Sequence, residues 1–199
     1  MAANQQVASS STPAPLQSRR LLLGVSGSIA AYKAAPLVRL LVQAGAEVQV
    51  ILTEAAAAFV TPLTLGTLSK KPVLTGFLRD AASGQWHNHV ELGLWAEAYI
   101  IAPASANTLG YLANGLCLNL LSAVYLSARC PVFLAPAMDL DMYAHPAVQQ
   151  NIQRLRSFGN HVFDSPSGAL ASGLSGPGRM LEPEQIVEEL GKFFSSNVY

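Results

Sequence analysis

A Ser26-Gly27-Ser28 turn stands between a short apolar run and a helical repeat, and that arrangement can hold a phosphate. Glycine lets the backbone approach a ligand closely. The first amides of the following helix, those of Ser28 and Ile29 among them, point outward without intrahelical partners and carry a partial positive charge. The serine hydroxyls add further donors. Neither GxxxxGK[ST] nor a full GxGxxG is present, which argues against triphosphate hydrolysis and ordinary nicotinamide binding. Alone, the turn selects a phosphate without saying whose, and a Gly-Ser helix cap of purely structural purpose has the same sequence. Thr53 offers either a second hydroxyl to that ligand or a cap to the next helix. His89 carries an imidazole that can position or deprotonate a reacting group, or it is a polar helix residue. Arg179 sits in a breaker-rich stretch, where it can meet a phosphate or carboxylate under a mobile flap or lie solvated on a loop.

Composition narrows the partners. The chain has 199 residues, 51% of them hydrophobic and only 12% charged, with 12 basic and 12 acidic residues and no basic cluster. A nucleic-acid or anionic-membrane surface is therefore not expected. No apolar run reaches the roughly 18 to 20 residues that a membrane-spanning helix requires. The apolar surplus suits a sheet buried on both faces or a subunit interface. Cys117 and Cys130 belong to no CxxC or Cys/His ligand spacing, so reduced, buried thiols in a cytoplasmic protein are expected, with no metal. His87, His145 and His161 read as surface, helix-start and loop residues, and Trp86 and Trp95 as packing residues. Residues 1–18, rich in Ala, Ser, Gln and Pro, lack a signal peptide's charged start and apolar core and read as a disordered tail before one domain, 19–199.

The elements that position these residues alternate. Apolar, β-branched or breaker-bounded runs predict strands at Arg20–Val25, Glu47–Leu52, Ala98–Ala102, Pro131–Leu134 and His161–Phe163. Helical spacing predicts helices at Ile29–Gln43, Ala55–Phe59, Pro62–Leu68, Thr108–Leu116, Leu118–Ser127, Pro146–Phe158 and Pro183–Phe194, with residues 164–182 too rich in breakers to be helical. The alternation implies an α/β, doubly wound, mostly parallel sheet in a three-layer sandwich, Rossmann-like or flavodoxin-like. Ligands of such sheets bind beyond the carboxyl ends of the strands. Gly27-Ser28, Thr53, Pro103–Thr108 and Pro136–Met142 all fall there.

Several segments share a pattern. The opening GSIAAYK, His89-Val90-Glu91-Leu92, Pro103-Ala104-Ser105-Ala106-Asn107-Thr108, Pro136 to Tyr143 (PAMDLDMY) and Gly173 to Met180 (GLSGPGRM), in this order and spacing, resemble the homo-oligomeric flavin-containing cysteine decarboxylases. The resemblance covers roughly residues 19–195. It implies FMN as cofactor, held at its phosphate by Gly27, Ser28 and Ile29 with Thr53, and contacted further by Ser105, Asn107 and Thr108. It places Ala137 and Met138 near the ring and substrate, with Met142 and Arg179 as further substrate contacts, and makes His89 the catalytic histidine. It implies a trimer or dodecamer with active sites between subunits. The activity it implies is decarboxylation of a phosphorylated cysteinyl small molecule, 4′-phosphopantothenoylcysteine, to 4′-phosphopantetheine in coenzyme A biosynthesis, with a fused or separate phosphopantothenate-cysteine ligase as partner. Transient oxidation of the cysteinyl thiol gives the electrons left by departing carbon dioxide an acceptor, so a flavin serves a reaction with no net redox change.

The chain departs from that pattern at catalytic positions. Asp139 stands where the family has an asparagine that helps bind the substrate carboxylate, and an ionised aspartate repels a carboxylate. Ser172, in Ala171-Ser172-Gly173, replaces a cysteine taken as the acid of the reductive half-reaction, and a hydroxyl is a far weaker acid than a thiol. Leu118 occupies a position commonly acidic in the family. These departures leave two alternatives beside the full cycle: an enzyme that releases an enethiol, as decarboxylases of peptidyl cysteine do, or a catalytically silent FMN-binding subunit of regulatory or assembly role.

Overall fold

The computed structural model describes residues 15–80 and 82–196. β1 (Arg20–Val25) shows why the sheet forms. Leu21, Leu23 and Val25 bury into one hydrophobic cluster and Leu22 into another, the two-residue alternation of a strand covered on both faces. At Gly24 a Cβ would lie 2.9 Å from both a Leu121 methyl and the Tyr99 hydroxyl, so the second layer packs directly on backbone there.

A 3₁₀ helix (Ile29–Lys33) leads into α1 (Ala34–Gln43), which stops before Gly45 at φ +90°. β2 (Glu47–Leu52), α2 (Glu54–Ala57) and α3 (Pro62–Ser69) follow. β3 (Leu78–Asp80) and β4 (Gln85–Trp86) pair as an antiparallel hairpin ahead of α4 (His89–Trp95). Next come β5 (Ala98–Ala104), α5 (Ala106–Ala113), α6 (Leu120–Ser127), β6 (Val132–Pro136), α7 (Leu140–Ala144), α8 (Pro146–Ser157) and β7 (His161–Val162). A second hairpin, β8 (Gly168–Ala169) with β9 (Ser175–Gly176), precedes α9 (Pro183–Ser196).

The main sheet has five parallel strands in the order β2-β1-β5-β6-β7. Helices α1, α3 and α9 cover one face, and α5, α6 and α8 the other. This is the doubly wound, flavodoxin-like sandwich expected from the alternation, with its switch of winding direction between β1 and β5.

Several boundaries differ from expectation for local reasons. The helix expected from Ile29 opens as a 3₁₀ turn because the Ala31 amide bonds back to the Ser28 carbonyl at 2.9 Å. The helix expected from Leu118 starts at Leu120, since Asn119 and Ser122 cap each other's backbone. β5 runs past Pro103 to Ala104. Residues 15–18, expected in the tail, pack onto the fold: Leu16 is fully buried and its amide donates to the Ala44 carbonyl at 3.0 Å. Residues 1–14 of that tail lie outside the described residues. The thiols are not both buried; Cys117 is exposed, while burial pushes the partly covered Cys130 thiol up to about 11.

Candidate functional site

Loops beyond the carboxyl ends of β1, β2, β5 and β6 enclose a cavity of about 820 Å³. One hydroxyl ties the two loops flanking the switch point. Ser26, almost fully buried, donates through Oγ to the Pro103 carbonyl at 2.8 Å and accepts the Ser105 amide at 2.9 Å. Gly27 then passes so near α2 that a Cβ would lie 2.6 Å from that of Ala55. The amides of Gly27, Ser28 and Ile29 find no acceptor among the described residues, which leaves three donors at a helix start for an anion.

Five N-cap residues with acceptor side chains line this cavity, and four cap their own helices. Ser28 accepts from Ala30, Thr53 from Ala56 and Ser105 from Thr108, each at 3.3 Å, and Asn119 accepts from Ser122 at 2.9 Å. Thr53 is thus both a cap and a cavity residue. The Ser105 hydroxyl also donates to Thr108 at 3.1 Å, which fixes its orientation. The fifth, Asp139 ahead of α7, makes no side-chain cap bond.

The glycine-rich segment closes the cavity on its other side as a hairpin. β8 and β9 pair, the Leu170 amide donates to the Leu174 carbonyl at 2.8 Å, and Gly173 turns the tip at φ +88°. Ala169, Leu170 and Ala171 line the cavity. The hairpin is anchored at its return: the Met138 amide donates to the Gly178 carbonyl at 2.9 Å, and Gly178 adopts φ +130°, open only to glycine. Arg179 does not stand free. It shares Oε1 of Glu182, at 3.0 Å, with the nearly buried Lys33, at 2.8 Å. The Lys33 hydrogen bond, more than the Arg179 charge, holds the Glu182 carboxyl below its usual range.

Of the residues singled out in the sequence, Gly27, Ser28, Ile29, Thr53, Ser105, Asn107, Thr108, Ala137, Met138, Asp139, Met142 and Arg179 meet on this cavity. His89 and Ser172 do not line it. His89 begins α4 behind the β3–β4 hairpin, against the rings of Phe77 and Trp86, with its Nδ1 buried and without a hydrogen-bond partner. Ser172 is exposed at the tip of the second hairpin, its Oγ accepting the Leu174 amide at 3.4 Å. Trp86 packs on His89, while Trp95 lies under the Lys71 ammonium, 4.6 Å from the ring centroid. His145 caps α8, and His161 stacks on Phe133 at the start of β7. Lys33, Tyr111 and Asn119 line the cavity without having been singled out; for Asn119 the Asn-x-x-Ser spacing was the available signal. Among the described residues no cluster of His, Cys, Asp or Glu is placed to hold a metal, and no helix is long and apolar enough to cross a membrane.

This geometry has known counterparts. A relative from an unknown prokaryotic organism, named cysteine/cysteine sulfinic acid decarboxylase, is 60% identical over 136 residues, covering 68% of this chain and 38% of its own length. The coenzyme A biosynthesis bifunctional protein CoaBC of Bacillus subtilis (strain 168) is 45% identical over 180 residues, covering 90% of this chain and 44% of its own. The chain thus spans less than half the length of either relative. Among solved structures, a cysteine-to-serine mutant of PPC decarboxylase complexed with pantothenoylaminoethenethiol superposes with a TM-score of 0.80 at 34% identity, over 90% of this chain and 100% of that one. The FMN binding protein AtHal3 gives a TM-score of 0.79 at 33% identity, over 92% and 100%. The Flavoprotein family profile matches residues 9–195, and the chain belongs to that family.

Proposed function

We propose that the chain binds FMN in this cavity and decarboxylates a cysteinyl carboxylate, with 4′-phosphopantothenoylcysteine, converted to 4′-phosphopantetheine in coenzyme A biosynthesis, as its substrate. One observation carries the reading: three unpartnered amides at the Gly27-Ser28-Ile29 turn share a cavity with the Ala137–Met142 loop and the hairpin of residues 168–176. A phosphate fits the turn because Gly27 keeps the backbone open to it and the helix start is positive. Ser105, Asn107 and Thr108 would line the path of the rest of the cofactor. Bound there, FMN would supply the reversible two-electron chemistry that a cysteine carboxylate needs in order to leave as carbon dioxide. Ala137, Met138 and Met142 would pack the substrate, and the hairpin would exclude water from it.

The similarity to CoaBC, whose length the chain half covers, supports a fused or separate ligase as partner. His89 lies outside the cavity of its own chain, beside exposed Phe77, Leu78 and Trp86, the composition of a surface covered in an assembly. A homo-oligomer, trimer or dodecamer, would bring His89 of one copy to the cavity of the next, where it would hold or move a proton on the substrate.

A second reading has its own support. The solved mutant bound to pantothenoylaminoethenethiol carries serine in place of a cysteine, and Ser172 puts serine at the family's cysteine position here. A chain that lacks the thiol acid would release the enethiol. The relative named for cysteine and cysteine sulfinic acid widens the substrate class to other small sulfur amino acids. The visible spectrum of the purified protein and its products from 4′-phosphopantothenoylcysteine test both readings. A flavin spectrum with carbon dioxide and 4′-phosphopantetheine is expected. An ultraviolet-absorbing enethiol supports the second reading, and a colourless protein that takes up no FMN overturns the proposal.

A further inference from the structure

We propose that Asp139 pairs with a substrate ammonium group, so that the cavity accepts a cysteine whose α-amino group is free and converts it to the aminothiol. The inference rests on the decarboxylase reading above and names the group that selects among its substrates.

Asp139 is a carboxylate without a partner among the described residues, on a cavity whose other N-caps with acceptor side chains are all engaged. Aspartate is among the strongest N-capping residues, and the four other N-caps on this cavity that carry an acceptor side chain all make that bond. Asp139, partly buried and lining the same cavity, forgoes it and makes no other side-chain hydrogen bond or ion pair among the described residues. Nor is a cavity cation available to it. Lys33 and Arg179, the cations on the lining, both bond Glu182. The other lining carboxylate, Glu54, belongs to the first turn of α2 beside the phosphate turn. An ionised carboxylate only accepts hydrogen bonds, and in a partly buried site its strongest complement is a charged donor. An N-acylated cysteine offers one neutral amide N–H near its reacting carbon, whereas a free cysteine offers a charged ammonium with three donors.

The reaction balances without an added reagent. The bond between Cα and the carboxylate breaks, carbon dioxide leaves, and one proton from solvent completes the new C–H bond. L-cysteine plus a proton gives cysteamine and carbon dioxide, with no net oxidation, because FMN ends the cycle as it began.

Calorimetric binding of cysteamine and N-acetylcysteamine to the FMN-loaded protein tests the pairing apart from turnover. The wild type should prefer cysteamine by about tenfold, the scale of one charge-assisted hydrogen bond. Asp139→Asn should abolish the preference while retaining its flavin spectrum and melting temperature. Equal binding by the wild type, or a preference that survives in Asp139→Asn, overturns the inference. Turnover separates it from the parent reading: carbon dioxide from 4′-phosphopantothenoylcysteine but none from L-cysteine overturns the inference alone. Release from neither overturns the decarboxylase reading, and the binding preference then still decides the role of Asp139.

Discussion

The two walls of the cavity are built on opposite principles. On the β1, β2 and β5 side, every N-cap hydroxyl bonds its own helix, Ser26 ties two loops together, and the free donors are backbone amides that cannot rotate away. On the β6 side, the N-cap carboxylate is unused, and a hairpin is held by one backbone bond to Met138 and by ion pairs to a shared glutamate. A preorganised wall suits a cofactor that stays, because its donors lose little freedom on binding. A wall of hairpin and ion pairs suits a substrate that must enter and a product that must leave.

Substitutions on each wall should therefore fail differently. The largest effect is expected from His89→Ala, which belongs to neither wall of its own chain: turnover should fall by about 10²–10⁴-fold, the usual contribution of a general acid–base, with FMN content unchanged by absorbance. A proportional loss of flavin would show instead that His89 shapes the cofactor site. Gly27→Ala should lower FMN affinity at least about tenfold in a fluorescence titration, since its Cβ would press on Ala55 and displace the amide cradle. Arg179→Ala should leave FMN affinity unchanged and raise KM several-fold with kcat less affected; an unaltered KM would remove the hairpin from substrate binding. Ser105→Ala should cost about 1 kcal/mol of stability in chemical denaturation through the lost cap.

The smallest effect concerns acid stability. Glu182 has a carboxyl held below its unfolded range, chiefly by Lys33, so it stabilises the fold above that range and the contribution is lost as pH falls through the lowered folded value. Lys33→Met should weaken this dependence and flatten the acid limb of a stability-versus-pH curve. The Glu182 side chain is 40% exposed, so solvent screening keeps the change small.

The same contrast governs what the sequence disclosed. Strands such as Arg20–Val25 and Glu47–Leu52 were legible to the residue, because burial on both faces demands an apolar run that breakers then end. The need for glycine in the Ser26-Gly27-Ser28 turn was legible for a related reason: close approach of backbone to Ala55 requires it. The β3–β4 hairpin, α7 and the β8–β9 hairpin were not, since they bury little and leave no hydrophobic period. Pairing of Lys33 and Arg179 on one carboxylate joins residues nearly 150 positions apart, a proximity no local pattern encodes. The position of His89 outside the cavity likewise depends on how α4 packs against α6, where Gly93 passes so near that a Cβ would lie 2.9 Å from the Ser127 carbonyl.

Leu16 bears on how the molecule can be cut. Its side chain plugs the layer shared by α1 and α9, upstream of the first strand. A truncation at Arg19, tidy on the page, would empty that plug and cost on the order of 2–5 kcal/mol, whereas a cleavage site placed before Pro15 would spare it.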